Sequence, residues 1–367
     1  MRRPLEQQAI AILHQALRPP VIDGRRKEAK PGGYSDSGAD IGFCLRDLGL
    51  NLLTPRASPD PRVDRDWVFP DTEAGIADAV GRGATVLWAN TVVFSGHPIE
   101  QWMDRCCIVG QLPAAMQAAD DKFATNVRLR AEGLPVARSL LVGGEARSGV
   151  HALAALSVET LAALGLTFPL IVKPVRGRGS QGVEWVGDLE DLVRTASALM
   201  ASGRFGDEVI LEQFLSGAEL TVTVMPEGRG ETDPSGGHRF WALPPVLRFN
   251  HEKGVAPYNG AVAVTRNSRA LAPEEQQTRE VRELIDACIA AAGIVGARAP
   301  IRIDCRADPE GVFRLFDLNM KPNMTGAGRP GREEQDSLSL LAARAIGWNY
   351  GELLKAMLGN AWCQPGA

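Results

Sequence analysis

The sequence predicts a chain of mixed class, an open parallel α/β sheet followed by α+β units, and three observations predict it. Over roughly the first hundred residues, short apolar runs alternate with amphipathic stretches in a βαβ rhythm. From about residue 119, apolar and polar residues alternate in strand-length runs joined by Gly- and Pro-containing turns. A composition of 45% hydrophobic and 23% charged residues fits a globular chain and excludes disordered, coiled-coil and collagen-like classes.

In the first part, strands are expected at 20–23, 50–54 and 84–90, and helices at 36–48 and 72–81. The rhythm changes near Ala118. A helix at 121–131 leads into a strand ending at Val142, then come a helix at 158–164, strands at 170–173 and 183–186, and a helix at 189–200 that Gly203 terminates. A third unit opens with strands at 209–213 and 219–225 and a hairpin loop at 228–237. It continues with a helix at 273–292, strands at 301–306 and 312–319 joined by a turn at 308–311, and helices at 337–346 and 350–358. At 367 residues the chain suits two or three domains, read here as 1–118, 119–205 and 206–367.

Lys and Arg number 40 against 44 Asp and Glu, so charge gives no reason to expect a nucleic-acid partner. No apolar run approaches the ~18–20 residues that cross a bilayer, because Asn90 interrupts the richest stretch, 85–94. Neither a membrane span nor a secretory leader is expected, which leaves a cytoplasmic location. The six cysteines form no CxxC pair and read as isolated thiols, with neither a zinc site nor a disulfide framework.

Three segments carry chemistry. Segment 168–182 delivers Lys173 at the end of an apolar strand and then Gly177, Gly179, Ser180 and Gly182. Unhindered backbone N–H groups, a hydroxyl and a fixed positive charge are the ingredients of a phosphate site. A tight hairpin whose glycines serve only the turn fits the segment equally well, although an interior lysine is costly without an anionic partner. In segment 208–222, Glu212 ends one apolar strand and Glu219 opens the next. The two acids have the spacing to face one cleft, and also that of solvated strand ends. In the third segment, Arg302 and Asp304 share one face of a strand, as do Asp317 and Asn319 on the next. The hairpin would gather three oxygen donors and an arginine. Such hard donors, with phosphate and water oxygens, suit magnesium; a cross-strand ion pair is the alternative.

In this order and with this separation, the three segments resemble the ATP-grasp superfamily, most closely its D-alanine-D-alanine ligase branch, over about residues 105 to 360. The resemblance implies an ATP-grasp fold behind an N-terminal open parallel-sheet domain. It also implies a ligase that joins a carboxylate to an amine through an acyl phosphate, with ATP and Mg²⁺ (two ions, Mn²⁺ as an alternative) as cofactors. Carried over, Lys122 and Lys173 contact the α- and β-phosphates, and Gly179-Ser180 belong to the loop over the β- and γ-phosphates. Glu212 binds adenine, Phe214-Leu215 form the hinge, and Glu219 binds ribose. Asp304, Asp317 and Asn319 hold the metal, with an aspartate at 317 where the branch usually has glutamate, and Arg302 stabilises the acyl phosphate and the oxyanion.

The likeness weakens toward the substrates. Gly32-Gly33-Tyr34-Ser35 resembles the branch's glycine-rich opening, but the glutamate that holds the substrate amine is absent, Asp36 being the nearest acid. The branch's His-Gly segment is replaced by one containing His97, a candidate substrate contact or a packed histidine before Pro98. Asn323, Ser337 and Leu338 are candidate second-substrate residues. Arg329 and Arg332, in a loop at 320–336 longer than the branch's, either favour an acidic second substrate or pair with Glu333 and Glu334. Lys253 is the candidate γ-phosphate contact and Tyr258 a lid residue, unless 248–260 is a plain connecting loop.

These departures favour a specialised pair of small amino-acid-like substrates over D-alanyl-D-alanine. The alternatives are D-alanine-D-alanine ligase proper, a non-amine or intramolecular acceptor, and a non-catalytic ATP sensor, which would need no Arg302. A homodimer is one oligomeric state the reading admits.

Overall fold

The fold is that of a computed structural model, which describes residues 7–22, 25–146, 149–177, 179–227, 239–250 and 264–364. Three main sheets follow one another along the chain. In the first, Ile10–His14 and Val86–Asn90 pair side by side, with Leu52–Leu53 beyond one and Cys107–Val109 beyond the other, all parallel; Phe69–Pro70 adds to Ile10–His14. The two central strands are buried at every residue, as a parallel sheet covered on both faces requires. The helices Ser35–Asp47 and Glu73–Gly81 fall where the sequence places them.

The opening strand is a correction. It is Ile10–His14, whereas Val21–Ile22 only forms a two-stranded hairpin with Arg25–Arg26. A fully buried five-residue run lacks the alternation that marks a strand.

The second sheet runs Glu184–Val186, Leu170–Pro174, Glu208–Gln213, Ser139–Gly143, His151–Ala152, antiparallel except for its last pair. Glu208–Gln213, with which the sequence reading opens the third unit, hydrogen-bonds into this sheet. Leu140, Val142, Leu170, Val172, Val209 and Leu211 belong to an apolar cluster drawn from this sheet and the segments packed on it.

The third sheet is antiparallel, in the order Ser268–Ala270, Val246–Arg248, Glu219–Pro226, Ile301–Ala307, Phe313–Asn319, with Phe240–Ala242 also on Glu219–Pro226. Arg279–Ile294 packs against it, as does Leu338–Arg344, whose Ser339 hydroxyl lies 3.0 Å from that of Thr223, while Tyr350–Gly359 packs on the helix Ser35–Asp47, where Leu353, Leu354 and Leu358 share a core with Ile10 and Ile41.

The expectation of isolated thiols is also corrected. Cys107 and Cys363 form a disulfide, leaving Cys44, Cys106, Cys288 and Cys305 free. The partners are 256 residues apart in sequence, so no local spacing announces them. Trp362 brings them together by exchanging backbone hydrogen bonds with Ile108 at the edge of the first sheet. Among the described residues, no helix is long and apolar enough to cross a membrane.

Candidate active site

A cleft of about 490 Å³ opens between the second and third sheets, lined also by residues that precede them in the chain, among them Lys30, Tyr34 and Met116. Each wall follows from strand register. On the third sheet, Asp304 is the Cα partner of Asp317 and Arg302 of Asn319, so the four side chains share one face. Glu219 lies between Arg248 and Arg306 on its two neighbouring strands. On the second sheet, Glu212 pairs with Ile171, and Lys173, two residues on, shares its face.

Of the residues singled out in the sequence, Lys122, Lys173, Gly179, Ser180, Glu212, Phe214, Leu215 and Glu219 line the cleft, together with Arg302, Asp304, Asp317, Asn319, Asn323 and Arg332. Gly179 and Ser180 are both left-handed, at φ 59° and 60°, a conformation that costs a serine strain and glycine none.

Charges in the cleft are matched in pairs. The Lys173 ammonium lies 2.6 Å from Glu212 Oε1 and also donates to the Phe316 carbonyl at 3.1 Å. Lys122 pairs with Asp317. Arg302 donates to Asp304 Oδ2 at 3.0 Å while Thr221 donates to Oδ1 at 2.8 Å. Burial pushes the Glu212 carboxyl above the usual glutamate range, with Lys173 opposing it. Burial also pushes Asp317 upward, but Lys122, Lys173 and Arg302 outweigh it and hold that carboxyl below its usual range.

The residues fit the groups they are expected to hold. Glu212 Oε2 is buried with no hydrogen-bond partner among the described residues, a vacancy suited to an amino donor. Asp304, Asp317 and Asn319 offer hard oxygens on adjacent strands, which suit Mg²⁺ when phosphate and water oxygens complete the shell. No group of three His, Cys, Asp or Glu side chains gathers among the described residues, so this donor set depends on the Asn319 amide.

Four candidates lie elsewhere. His97 is buried and caps the short helix Pro98–Trp102: its Nδ1 accepts from the Ile99 N–H, and its Nε2 faces Asp71 Oδ2 at 3.3 Å. Arg329 is buried in an ion-pair cluster with Asp40 and Asp64, rather than pairing with Glu333 or Glu334. Arg332, at the edge of the cleft, is likewise held by Asp40. Ser337 caps the helix Leu338–Arg344 through the Leu340 N–H, and Leu338 packs in the core. Lys253 and Tyr258 lie outside the described residues.

The cleft also contains residues the sequence reading passed over as site residues: Lys27, Lys30, Tyr34, Asp36, Arg248, Arg306, Phe316 and Lys321. Period-two alternation was the available signal for Arg306, which is in phase with Arg302 and Asp304. Nothing local marks Lys27, Lys30 or Lys321.

A family model described as "D-ala D-ala ligase C-terminus" matches residues 129–359. The chain belongs to the D-alanine-D-alanine ligase family. It is 30% identical over 239 residues to a D-alanine-D-alanine ligase of Actinobacillus succinogenes, covering 65% of this chain and 66% of that protein. It is 31% identical over 258 residues to one from Verminephrobacter eiseniae, covering 69% and 68%. The matches therefore span about two thirds of the relatives' length. Two solved structures of the Bacillus anthracis D-alanine-D-alanine ligase, one of them complexed with ATP, cover 96% of this chain and 97% of their own at a TM-score of 0.64 and 17% identity. That likeness establishes the ATP-grasp fold with its preceding parallel-sheet domain, as the sequence reading expected.

Proposed function

We propose that this chain is an ATP-dependent carboxylate-amine ligase that forms ADP and phosphate. The observation that carries the reading is the convergence of Lys122, Lys173, Glu212 and Glu219 with Arg302, Asp304, Asp317 and Asn319 in one cleft. A substrate carboxylate oxygen attacks the γ-phosphorus of ATP, the bond to the β,γ-bridging oxygen breaks, and ADP leaves. The amine of the second substrate then attacks the acyl carbon, loses a proton, and expels phosphate to leave an amide.

Most of the phosphoryl step is positioning and charge neutralisation. Glu212 receives the adenine amino group on its unpartnered Oε2, the Phe214-Leu215 backbone flanks the ring, and Glu219 takes the ribose hydroxyls. Lys122 and Lys173 turn to the phosphates, which compete with Asp317 and Glu212 for them, and Gly179-Ser180 cover the phosphate tail. Asp304, Asp317 and Asn319 would hold Mg²⁺, which supplies Lewis-acid neutralisation of the phosphate oxygens when bound. Arg302 faces the acyl oxygen, where negative charge develops. The segment 1–118 then supplies the substrate pocket, 119–205 together with the strand Glu208–Gln213 the nucleotide cover, and the third sheet the metal-oxyanion wall.

The relatives' names favour D-alanine on both sides of the bond, and that pair is the first to test. A specialised carboxylate substrate is the second reading, favoured by the absence near Gly32-Gly33-Tyr34-Ser35 of the glutamate that holds the substrate amine in the branch. ADP and phosphate release with Mg-ATP, measured over amino acids and carboxylic acids singly and in pairs, tests the function. Strict dependence on two substrates is expected, and AMP with pyrophosphate as products would overturn the acyl-phosphate mechanism.

A further inference from the structure

The Gln111 side chain joins the first sheet to the third. Gln111 lies between the strand Cys107–Val109 and the helix Pro113–Ala119 and is only 3% exposed. Its Nε2 donates to the carbonyls of Ala299 at 3.0 Å and Met320 at 3.1 Å, with that of Pro300 at 3.4 Å. Its Oε1 accepts from the Arg298 N–H at 2.8 Å and the Ala299 N–H at 3.4 Å. The two hydrogens and the two lone pairs of the amide are thereby all engaged. The reverse orientation would set an oxygen against three carbonyl oxygens, so the amide has one admissible orientation.

The residues it grips bracket one hairpin. Pro300 immediately precedes the strand Ile301–Ala307, and Met320 immediately follows Phe313–Asn319. At that open end Arg302 and Asn319 are Cα partners, with Asp304 and Asp317 next along the same face. The nucleoside acids depend on other contacts: Glu219 is the Cα partner of Arg306, farther along the strand, and Glu212 lies on the second sheet. Trp362 holds the Gln111 segment from another side, donating from Nε1 to the Gly110 carbonyl at 2.7 Å and pairing its backbone with Ile108. The helix that follows Gln111 brings Met116 and Ala119 to the cleft and leads to Lys122, the partner of Asp317.

Resting on the ligase reading, we infer that Gln111 is a positioning residue for the metal-oxyanion wall. Gln111 does not line the cleft. Its amide clips together the two strand ends from which Arg302 and Asn319 project, and so fixes where those groups stand against the phosphate being transferred. Such groups act only when held close to their productive geometry, and a small misplacement lowers the rate steeply.

Gln111→Glu keeps the shape and loses the donors, whereas Gln111→Asn keeps the amide and draws it back by one methylene. Each is compared with the wild type in ADP release and in calorimetric ATP binding with and without Mg²⁺, where an unfolded fraction lowers the stoichiometry and leaves Kd as it is. The expected result is a kcat lowered about ten- to a hundredfold, an unchanged Kd for metal-free ATP, and a smaller tightening of ATP by Mg²⁺. In Gln111→Glu the loss of kcat relative to the wild type is expected to deepen as pH rises, because a protonated carboxyl still donates to the carbonyls and a carboxylate repels them. Variants with wild-type kcat and wild-type Mg²⁺ effect, even if less stable, would make Gln111 purely structural and overturn the inference. So would an equal loss of metal-free ATP binding, which would spread the effect over the whole cleft, and so would failure of both variants to fold. A wild type that releases no ADP with any acid and amine would overturn the ligase reading, while calorimetry would still decide whether Gln111 positions the metal-bearing wall.

Discussion

Lys173 and Glu212 meet at 2.6 Å across two antiparallel strands, and each is at most 5% exposed. The contact is diagonal: Ile171 is the register partner of Glu212, and Lys173 lies two residues along on the same face. It gives a buried lysine the anionic partner it needs, and it places the unpartnered Glu212 Oε2 in the cleft. One pair thus serves the sheet and the nucleotide pocket together.

Glu212→Ala would leave that ammonium buried with only the Phe316 carbonyl to bind. Removing one partner of a buried pair costs about 3–5 kcal/mol, and urea unfolding is expected to read a loss of that size. The Lys173→Met/Glu212→Leu double variant removes both charges and is expected to lose less stability than Glu212→Ala alone. ATP binding, measured by calorimetry, should be weakened in both proteins, which separates the nucleotide role from the structural one.

The Lys122–Asp317 pair predicts a pH dependence. Asp317 has a folded pKa below its ordinary value of 3.8, so below that value the unfolded chain binds the proton more readily than the folded one. The stabilisation from Asp317 is therefore complete above pH 3.8 and is lost as pH falls through the depressed folded value. Lys122→Met is expected to be less stable than the wild type at neutral pH, with the gap closing as pH falls below 3.8. A gap independent of pH, read by denaturant melts across the acid range, would contradict the assignment.

Asp40 ties the 320–336 loop to the helix that packs on the first sheet. Fully buried in the helix Ser35–Asp47, it accepts from Arg329 Nε and Arg332 Nε, both at 2.8 Å, and from the Thr325 hydroxyl. Asp40→Ala would leave the buried Arg329 guanidinium with Asp64, at 2.7 Å, as its remaining acid partner among the described residues, so the cost expected in denaturant melts lies below the about 3–5 kcal/mol of a buried charge left wholly unpaired. Arg332, partly exposed at the cleft edge, would also lose its anchor, so KM for the acid substrate should rise in whatever fraction remains folded.

What could be read from the sequence divides along a physical line. Arg302, Asp304, Asp317 and Asn319 were legible because strand alternation and a short turn fix their common face locally, and the observed register follows. The helix expected at 121–131 is found at 122–131, where its start is also set locally, by the Asp121 side chain accepting from the Ala124 N–H. Arg329 and Arg332 were not: their partner lies 289 and 292 residues away, and charge alone could not choose it over the adjacent Glu333 and Glu334. His97 reads from the sequence either as a substrate contact or as a packed histidine before Pro98, and sequence alone does not choose between them. Its two ring nitrogens are taken up by the Ile99 amide and the buried Asp71, as the packed reading has it.

The Cys107–Cys363 disulfide gives the most direct test of a contact with no sequence signal. It closes a span of 256 residues and joins the end of the chain to the edge of the first sheet. Cross-linking distant residues restricts the unfolded chain, which typically contributes about 2–4 kcal/mol. Cys363→Ser is therefore expected to unfold at lower denaturant than the wild type under oxidising conditions, and the difference should vanish once excess reductant opens the bond in the wild type. Thiol titration of the denatured, unreduced protein should find four free cysteines, those at 44, 106, 288 and 305. Six titratable thiols, with identical melts in both buffers, would remove the disulfide and leave the Trp362–Ile108 backbone pairing as the link between the chain's end and the sheet.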